Sequence, residues 1–274
     1  MLIDALANNL DRSGALETFW SKLDKSMDAT LGAASSARPF LVAARFAHRP
    51  QTTLVVTPGE EGADVFARMV GAFIGEERVL RYEKSVGNDF ALTTTPDPKA
   101  IAHRLQALWA LQSGKECIVV SSAQALLRRV VPASNLAAKP LELIAGMDLS
   151  DGAIEGLDDY STLAEVLVDL GYENTTTLDG PGTFGVHGGT LDVWPGNLDF
   201  PVRLDFFGDE LEEIRRFLPT TGQLISTLES VEIFPVREFR ESGKTIAQAK
   251  ARLRVPAQTN PQLRELLECL EDDS

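Results

Sequence analysis

Two runs in the second half of the chain alternate apolar and polar residues with period two: Thr190-Leu191-Asp192-Val193-Trp194 and Val202-Arg203-Leu204-Asp205-Phe206-Phe207. Such alternation predicts half-buried strands. The seven residues between them, Pro195-Gly196-Asn197-Leu198-Asp199-Phe200-Pro201, are turn formers bracketed by prolines, which predicts an antiparallel hairpin with a long loop. In the second run Val202, Leu204 and Phe206 share one face, and Arg203, Asp205 and Phe207 share the other. Leu191 and Val193 join the first set, which leaves Thr190, Asp192 and Trp194 beside Arg203 and Phe207 if the strands pair. Arginine and large aromatics on one solvated face are the residue types that dominate binding hot spots. The alternative is that a helix of the same chain covers Phe207 and Trp194 and makes them core.

Before the hairpin the pattern is that of an α/β protein. Residues 3–25 carry helical periodicity broken at 11–14, 29–33 read as a short strand, and 40–47 as a helix. Strands are predicted at 52–57, 78–82 and 116–121, with helices at 61–74, 99–111 and 123–129. Strands alternating with helices predict a mainly parallel sheet covered on both faces. A polar stretch at 84–98 reads as a surface loop, and 132–140 as the join into a second domain. There 141–147 and 173–178 read as strands, and 160–170 as a helix with Ser161 as N-cap and Glu165 near the capping-box position. The second domain is expected to return to the first at 230–236. Helices are predicted at 246–253 and 261–270.

Composition narrows the function classes. The 274 residues, 44% hydrophobic, are enough for two domains with real cores. Forty acidic residues against 26 basic give a formal charge of −14, which argues against a general DNA-binding surface. The two cysteines, Cys117 and Cys269, have no metal-ligand spacing, and Cys117 opens an apolar strand, as a reduced buried thiol would. No apolar run is long enough for a membrane span and no signal-peptide pattern opens the chain. A cytoplasmic protein with no membrane contact is expected.

Candidate chemistry is sparse. His48, His103 and His187 lie in different predicted elements, without Cys or carboxylate at ligand spacing. Asp209, Glu210, Glu212 and Glu213 read as a turn and the solvated face of a short helix. Ser121-Ser122 lacks the G-x-S-x-G elbow of a hydrolase. Between the predicted strand at 29–33 and the following helix stands Gly32-Ala33-Ala34-Ser35-Ser36-Ala37-Arg38-Pro39. A phosphate-binding loop there would read G-x-x-x-x-G-K-[ST]. Ala37 stands where the glycine would let backbone approach phosphate, Arg38 where the lysine would be, and Pro39 removes both the hydroxyl and an amide donor. On the residues alone this reads as a small-residue turn before a helix.

GTFGVHGGTLDVWP, followed by PVRLDFFGDELEEIRRF and VEIFPVREF, closely resembles the segment that bacterial transcription-repair coupling factors (Mfd) share with the excision repair protein UvrB. The resemblance implies a degenerate P-loop-type α/β domain at 1–134, an inserted α+β UvrB-interaction-type domain at 140–236 that binds UvrA, and at 237–274 the helical start of a further domain. It places Arg203 and Phe207 on two UvrA-contacting positions. The third is an arginine in the family and His187 here; a neutral imidazole cannot make the bidentate fork of a guanidinium. The resemblance also makes Gly32, Ala37, Arg38 and Pro39 a decayed phosphate loop, so no cofactor is expected here. ATP and magnesium belong to motor domains outside this chain. The parent is implied to be an ATP-dependent DNA translocase that displaces stalled RNA polymerase, with a C-terminal domain masking the UvrA surface until the motor engages. UvrB itself carries an intact loop and an aromatic-rich hairpin, whereas this chain has only three tyrosines. The alternatives are a UvrB-type damage-recognition protein or an active nucleotide-binding module.

Overall fold

The computed structural model describes residues 14, 16–25, 28–84, 97–127, 130, 139–238 and 243–272. The chain divides into two compact units, Met1–Lys84 with Gln106–Arg129, and Ser85–Leu105 with Val130–Ser274.

The first unit is built on three parallel strands, β1 (Thr53–Thr57), β2 (Val79–Tyr82) and β3 (Ile118–Ser122), in the order β1-β3-β2. β3 is buried at every position and central, as its unbroken apolar run requires. One face presents Val55, Ile118 and Val120 to α2 (Arg38–His48) and α3 (Glu60–Ile74), whose Ala43, Phe46, Ala63, Ala67 and Val70 complete the layer. On the other face Leu80, Tyr82 and Val119 pack with Ala107 and Ala110, from the second half of α4 (Pro98–Gln112). That cover stops short of β1, whose Leu54 and Val56 are exposed, so the expectation of two fully covered faces fails at this edge strand. A short α1 (Glu17–Asp24) precedes α2, and α5 (Ala123–Leu126) follows β3, its N-terminus capped by Ser122 Oγ accepting from the Ala125 amide. The strand expected at 29–33 is not formed: 28–34 pair with nothing in a ladder, and a 3-10 turn at Ser35–Ala37 leads into α2. Residues 1–13, most of the loop expected at 84–98, and most of the join expected at 132–140 lie outside the described residues.

In the second unit β4 (Leu141–Ile144) pairs antiparallel with β11 (Ser230–Ile233), beside a six-stranded sheet of order β10-β9-β8-β7-β6-β5. The six are β5 (Glu173–Asn174), β6 (Thr183–His187), β7 (Thr190–Trp194), β8 (Val202–Phe207), β9 (Glu210–Phe217) and β10 (Leu224–Leu228). All neighbours are antiparallel except β5 and β6. The segment expected to return to the first domain at 230–236 thus contributes β11 to the second unit. The helix expected after Asp209 is instead β9, and of the strand expected at 173–178 only the first two residues pair.

The inner face of the sheet is covered by α6 (Tyr160–Asp169), whose Leu163 and Leu167 are fully buried and whose Tyr160 ring lies 4.8 Å from that of Phe206. The cap of α6 is Asp159, not Ser161. Asp159 accepts from the Thr162 amide while the Thr162 hydroxyl accepts from the Asp159 amide, a capping box that starts two residues earlier than the sequence predicts. Ser161 donates its hydroxyl to Asp159 Oδ1 instead. The C-terminal residues form α7 (Gly243–Leu253) and α8 (Pro261–Asp272), which pack on each other.

Candidate functional site

The hairpin has the expected register. Val193 pairs with Val202, Asp192 with Arg203, Leu191 with Leu204 and Thr190 with Asp205. Leu191, Val193, Val202 and Leu204 are buried on the inner face. On the opposite face Asp192 accepts two hydrogen bonds from Arg203, Nε to Oδ1 and Nη2 to Oδ2, both 2.7 Å. The guanidinium also stacks over Phe217, 5.1 Å from the ring centroid. Asp192 is 8% exposed at its side chain and Arg203 37%, so the carboxylate is inside and the cation leans out over it. The Asp192 hydrogen bonds hold the Arg203 pKa above its ordinary value against the opposing effect of burial.

Across β9, Arg215 stands directly opposite Arg203. Two like charges in register repel, and the sheet answers with a second acid: Asp205 Oδ2 accepts from Arg215 Nη2 at 2.6 Å, while Thr190 Oγ1 donates to Asp205 Oδ1 at 3.3 Å. Each arginine thus has its own carboxylate, and the face carries an ordered ladder of charge.

Phe207 ends β8 on this same face with 76% of its surface exposed. No helix covers it, which rejects the reading of Phe207 as core. It lies about 13 Å along the strand from Arg203 at strand rise. Trp194 is half-buried, its Nε1 donating to the Leu198 carbonyl, so it braces the hairpin loop rather than standing free. His187 ends β6 opposite Thr190, exposed and on the same face, its Nε2 3.3 Å from where a Cβ on Gly185 would lie. The tight turn from His187 into β7 needs its two glycines: Gly188 has φ +64, and a Cβ on Gly189 would sit 3.0 Å from the Phe206 carbonyl. Tyr160 donates its hydroxyl to the Gly188 carbonyl and fixes this tip to α6.

Residues 157–239, which contain this whole face, match the family described as UvrB interaction domain. Over 254 residues the chain is 32% identical to the transcription-repair-coupling factor of Myxococcus xanthus, covering 89% of this chain and 20% of that protein. The factor of Bacillus subtilis is 26% identical over 210 residues, covering 76% of this chain and 17% of the relative. The chain belongs with the UvrB-homologous N-terminal region of the transcription-repair coupling factors. It spans about a fifth of the length of these curated relatives.

The stretch 32–39, expected from the sequence as a phosphate-loop frame, lies in the first unit. Arg38 opens α2 and its Nε donates to the Ala33 carbonyl at 3.3 Å, and Pro39 is buried in the first helical turn. A Cβ on Gly32 would meet nothing within 4 Å, so this glycine serves no close approach. Ala33 and Arg38 border a cavity of about 360 Å³ whose walls combine the aromatic rings of Phe19 and Trp20 and the aliphatic Leu31 and Leu41 with a second arginine, Arg45. Among the described residues no three His, Cys, Asp or Glu side chains gather as a metal site, and no helix is long and apolar enough to cross a membrane.

The sequence singled out Arg203 and Phe207 but not Phe217 or Arg215, which complete the face. Asp192 could have been assigned to Arg203 by counting back equally from both ends of the loop, since Val193 and Val202 close it. Phe217 carries no such signal, because the acidic run ahead of it has the pattern of a short helix.

Proposed function

We propose that this chain is the adaptor region through which a transcription-repair coupling factor recruits UvrA in nucleotide excision repair. Arg203 and Phe207 are the contact pair, and His187 stands at the edge of the same surface. The observation that carries this reading is Phe207, a large ring left 76% exposed on the face where Arg203 is held in place, within residues matched as a UvrB interaction domain. Exposed aromatics beside an ordered arginine are the residue types of interface anchors. In the parent, an ATP-dependent DNA translocase, other domains engage RNA polymerase and DNA, and a C-terminal domain masks this face until the motor acts. The chain itself is an adaptor without catalysis in the cytoplasm. Gly32, Ala37, Arg38 and Pro39 are the remnant of a phosphate loop, which argues against ATP and magnesium binding here. The domain boundaries follow the same reading, with a P-loop-like domain at 1–134, the UvrA-binding domain at 140–236 and a further domain starting at 237–274.

The test is calorimetric titration of the chain with cognate UvrA, beside Arg203→Ala and Phe207→Ala variants verified as folded. Each variant is expected to lose about 2 kcal/mol, as hot-spot residues do. Full affinity in both variants would remove this face from the interaction. A titration with labelled ATP and magnesium, expected to show no saturable binding, separates the adaptor from a nucleotide-binding module. Salt-dependent retention on DNA would favour a UvrB-type DNA binder instead.

A further inference from the structure

We infer that Asp192 is the positioning residue of the UvrA contact: it dictates which edge of the Arg203 guanidinium a partner can reach, an inference that rests on the reading of this face given above. The geometry is specific. Asp192 engages Nε and Nη2 with both carboxylate oxygens, and Phe217 supports the flat of the guanidinium from one side. Among the described residues the Nη1 end has no hydrogen-bond partner. A guanidinium held along its Nε edge and over one plane is open at the Nη1/Nη2 end. The partner's acceptor must therefore approach end-on, which suits a carboxylate that shares the cation with Asp192. Arg215, directly opposite Arg203, is already drawn to Asp205, so it does not compete for Asp192.

This arrangement also accounts for the burial of Asp192, whose residue is 6% exposed. A carboxylate that close to the interior requires a charge-assisted partner. The same bond that satisfies it freezes a long side chain before any partner arrives, and a pre-ordered arginine loses less freedom on binding.

The experiment is a double-mutant cycle on UvrA binding with Asp192→Asn and Arg203→Ala, every variant verified as folded by circular dichroism and thermal melting. Asp192→Asn is expected to weaken binding about tenfold in the native background and to change nothing once Arg203 is alanine, as coupled neighbours do. A purely structural role would weaken binding equally in both backgrounds and would overturn the inference. So would wild-type affinity in folded Asp192→Asn. If Asp192→Asn does not fold, Asp192→Glu takes its place, keeping the charge and displacing the carboxylate from the Arg203 Nε edge. A loss that depends on Arg203 again supports positioning, and no loss overturns it. A second readout is independent of UvrA: the Arg203 Nε–H resonance is expected to exchange slowly with water in the native chain and fast in the position-192 variant. No binding by the wild type would defeat the UvrA reading itself. Loss in Arg203→Ala with none in Asp192→Asn would defeat this inference alone.

Discussion

Arg104 and Glu238, 134 residues apart in sequence, form an ion pair at 2.6 Å with the arginine side chain only 1% exposed. The pair joins the first half of α4 to the segment that leaves β11. Removing Arg104 empties a buried position and leaves the Glu238 carboxylate, 21% exposed at its side chain, without this partner. Arg104→Ala is expected to cost about 3–5 kcal/mol in urea unfolding, whereas Arg104→Met combined with Glu238→Leu returns most of that loss. Equal destabilisation by the single and double variants would show that packing of the long side chain, rather than the pairing of charge, is what matters.

Leu204 and Phe207 lie on opposite faces of β8, and they should separate stability from recognition. Leu204 is fully buried and opposite Ile214, so Leu204→Ala is expected to cost about 2–5 kcal/mol. Phe207→Ala removes a larger side chain with little folded-state contact and is expected to stay within about 0.5 kcal/mol of the native chain. Chemical denaturation of the two variants side by side checks the contrast. Destabilisation by Phe207→Ala on the scale of Leu204→Ala would make the ring structural.

The hairpin was legible because β7 and β8 alternate without interruption and are bounded by proline-rich turns. β9 was not, and the reason is physical. Its buried residues are Leu211, Ile214 and Phe217, spaced by three as on a helix. A bulge opposite the Asp205/Phe206 step inserts an extra residue after Leu211, which produces the first interval. The second arises because Phe217 is buried on the other face, beneath Arg203, where a charged neighbour does the covering. Neither cause is visible as periodicity. The charge ladder was half legible for the same reason: Asp192 follows from the loop, but Arg215 belongs to the misread strand.

Acid should loosen the caps of the second unit. The Asp159 carboxyl is held below the usual range first by the Ser161 hydroxyl and then by the Thr162 amide, and that of Asp148 first by the Ser150 hydroxyl. Folded values below the unfolded value of about 3.9 mean stabilisation that is complete above it and lost as pH falls through the folded values. The melting temperature is expected to fall over that acid window. Asp159→Asn with Asp148→Asn, which cap without titrating, should flatten part of the fall. An unchanged acid limb in the double variant would assign the effect to other carboxylates.

Cys117 is fully buried ahead of β3, and burial pushes its thiol pKa up, so thiolate is scarce as well as inaccessible. Alkylation followed by peptide mass mapping is expected to leave Cys117 unmodified in the native protein and to label it fully in denaturant. Rapid native labelling at Cys117 would mean that the layer between β3 and α4 opens readily.

Pro39 fixes where the first long helix of the first unit begins. Its ring is buried in the first turn of α2, where proline's fixed φ suits a helix start. A change to serine or threonine would give up that fixed φ and the volume of a buried ring. A glycine-lysine-threonine sequence at this place would have to give up that packing, so the start of α2 is a fixed anchor for the helix and a poor place to graft a new loop.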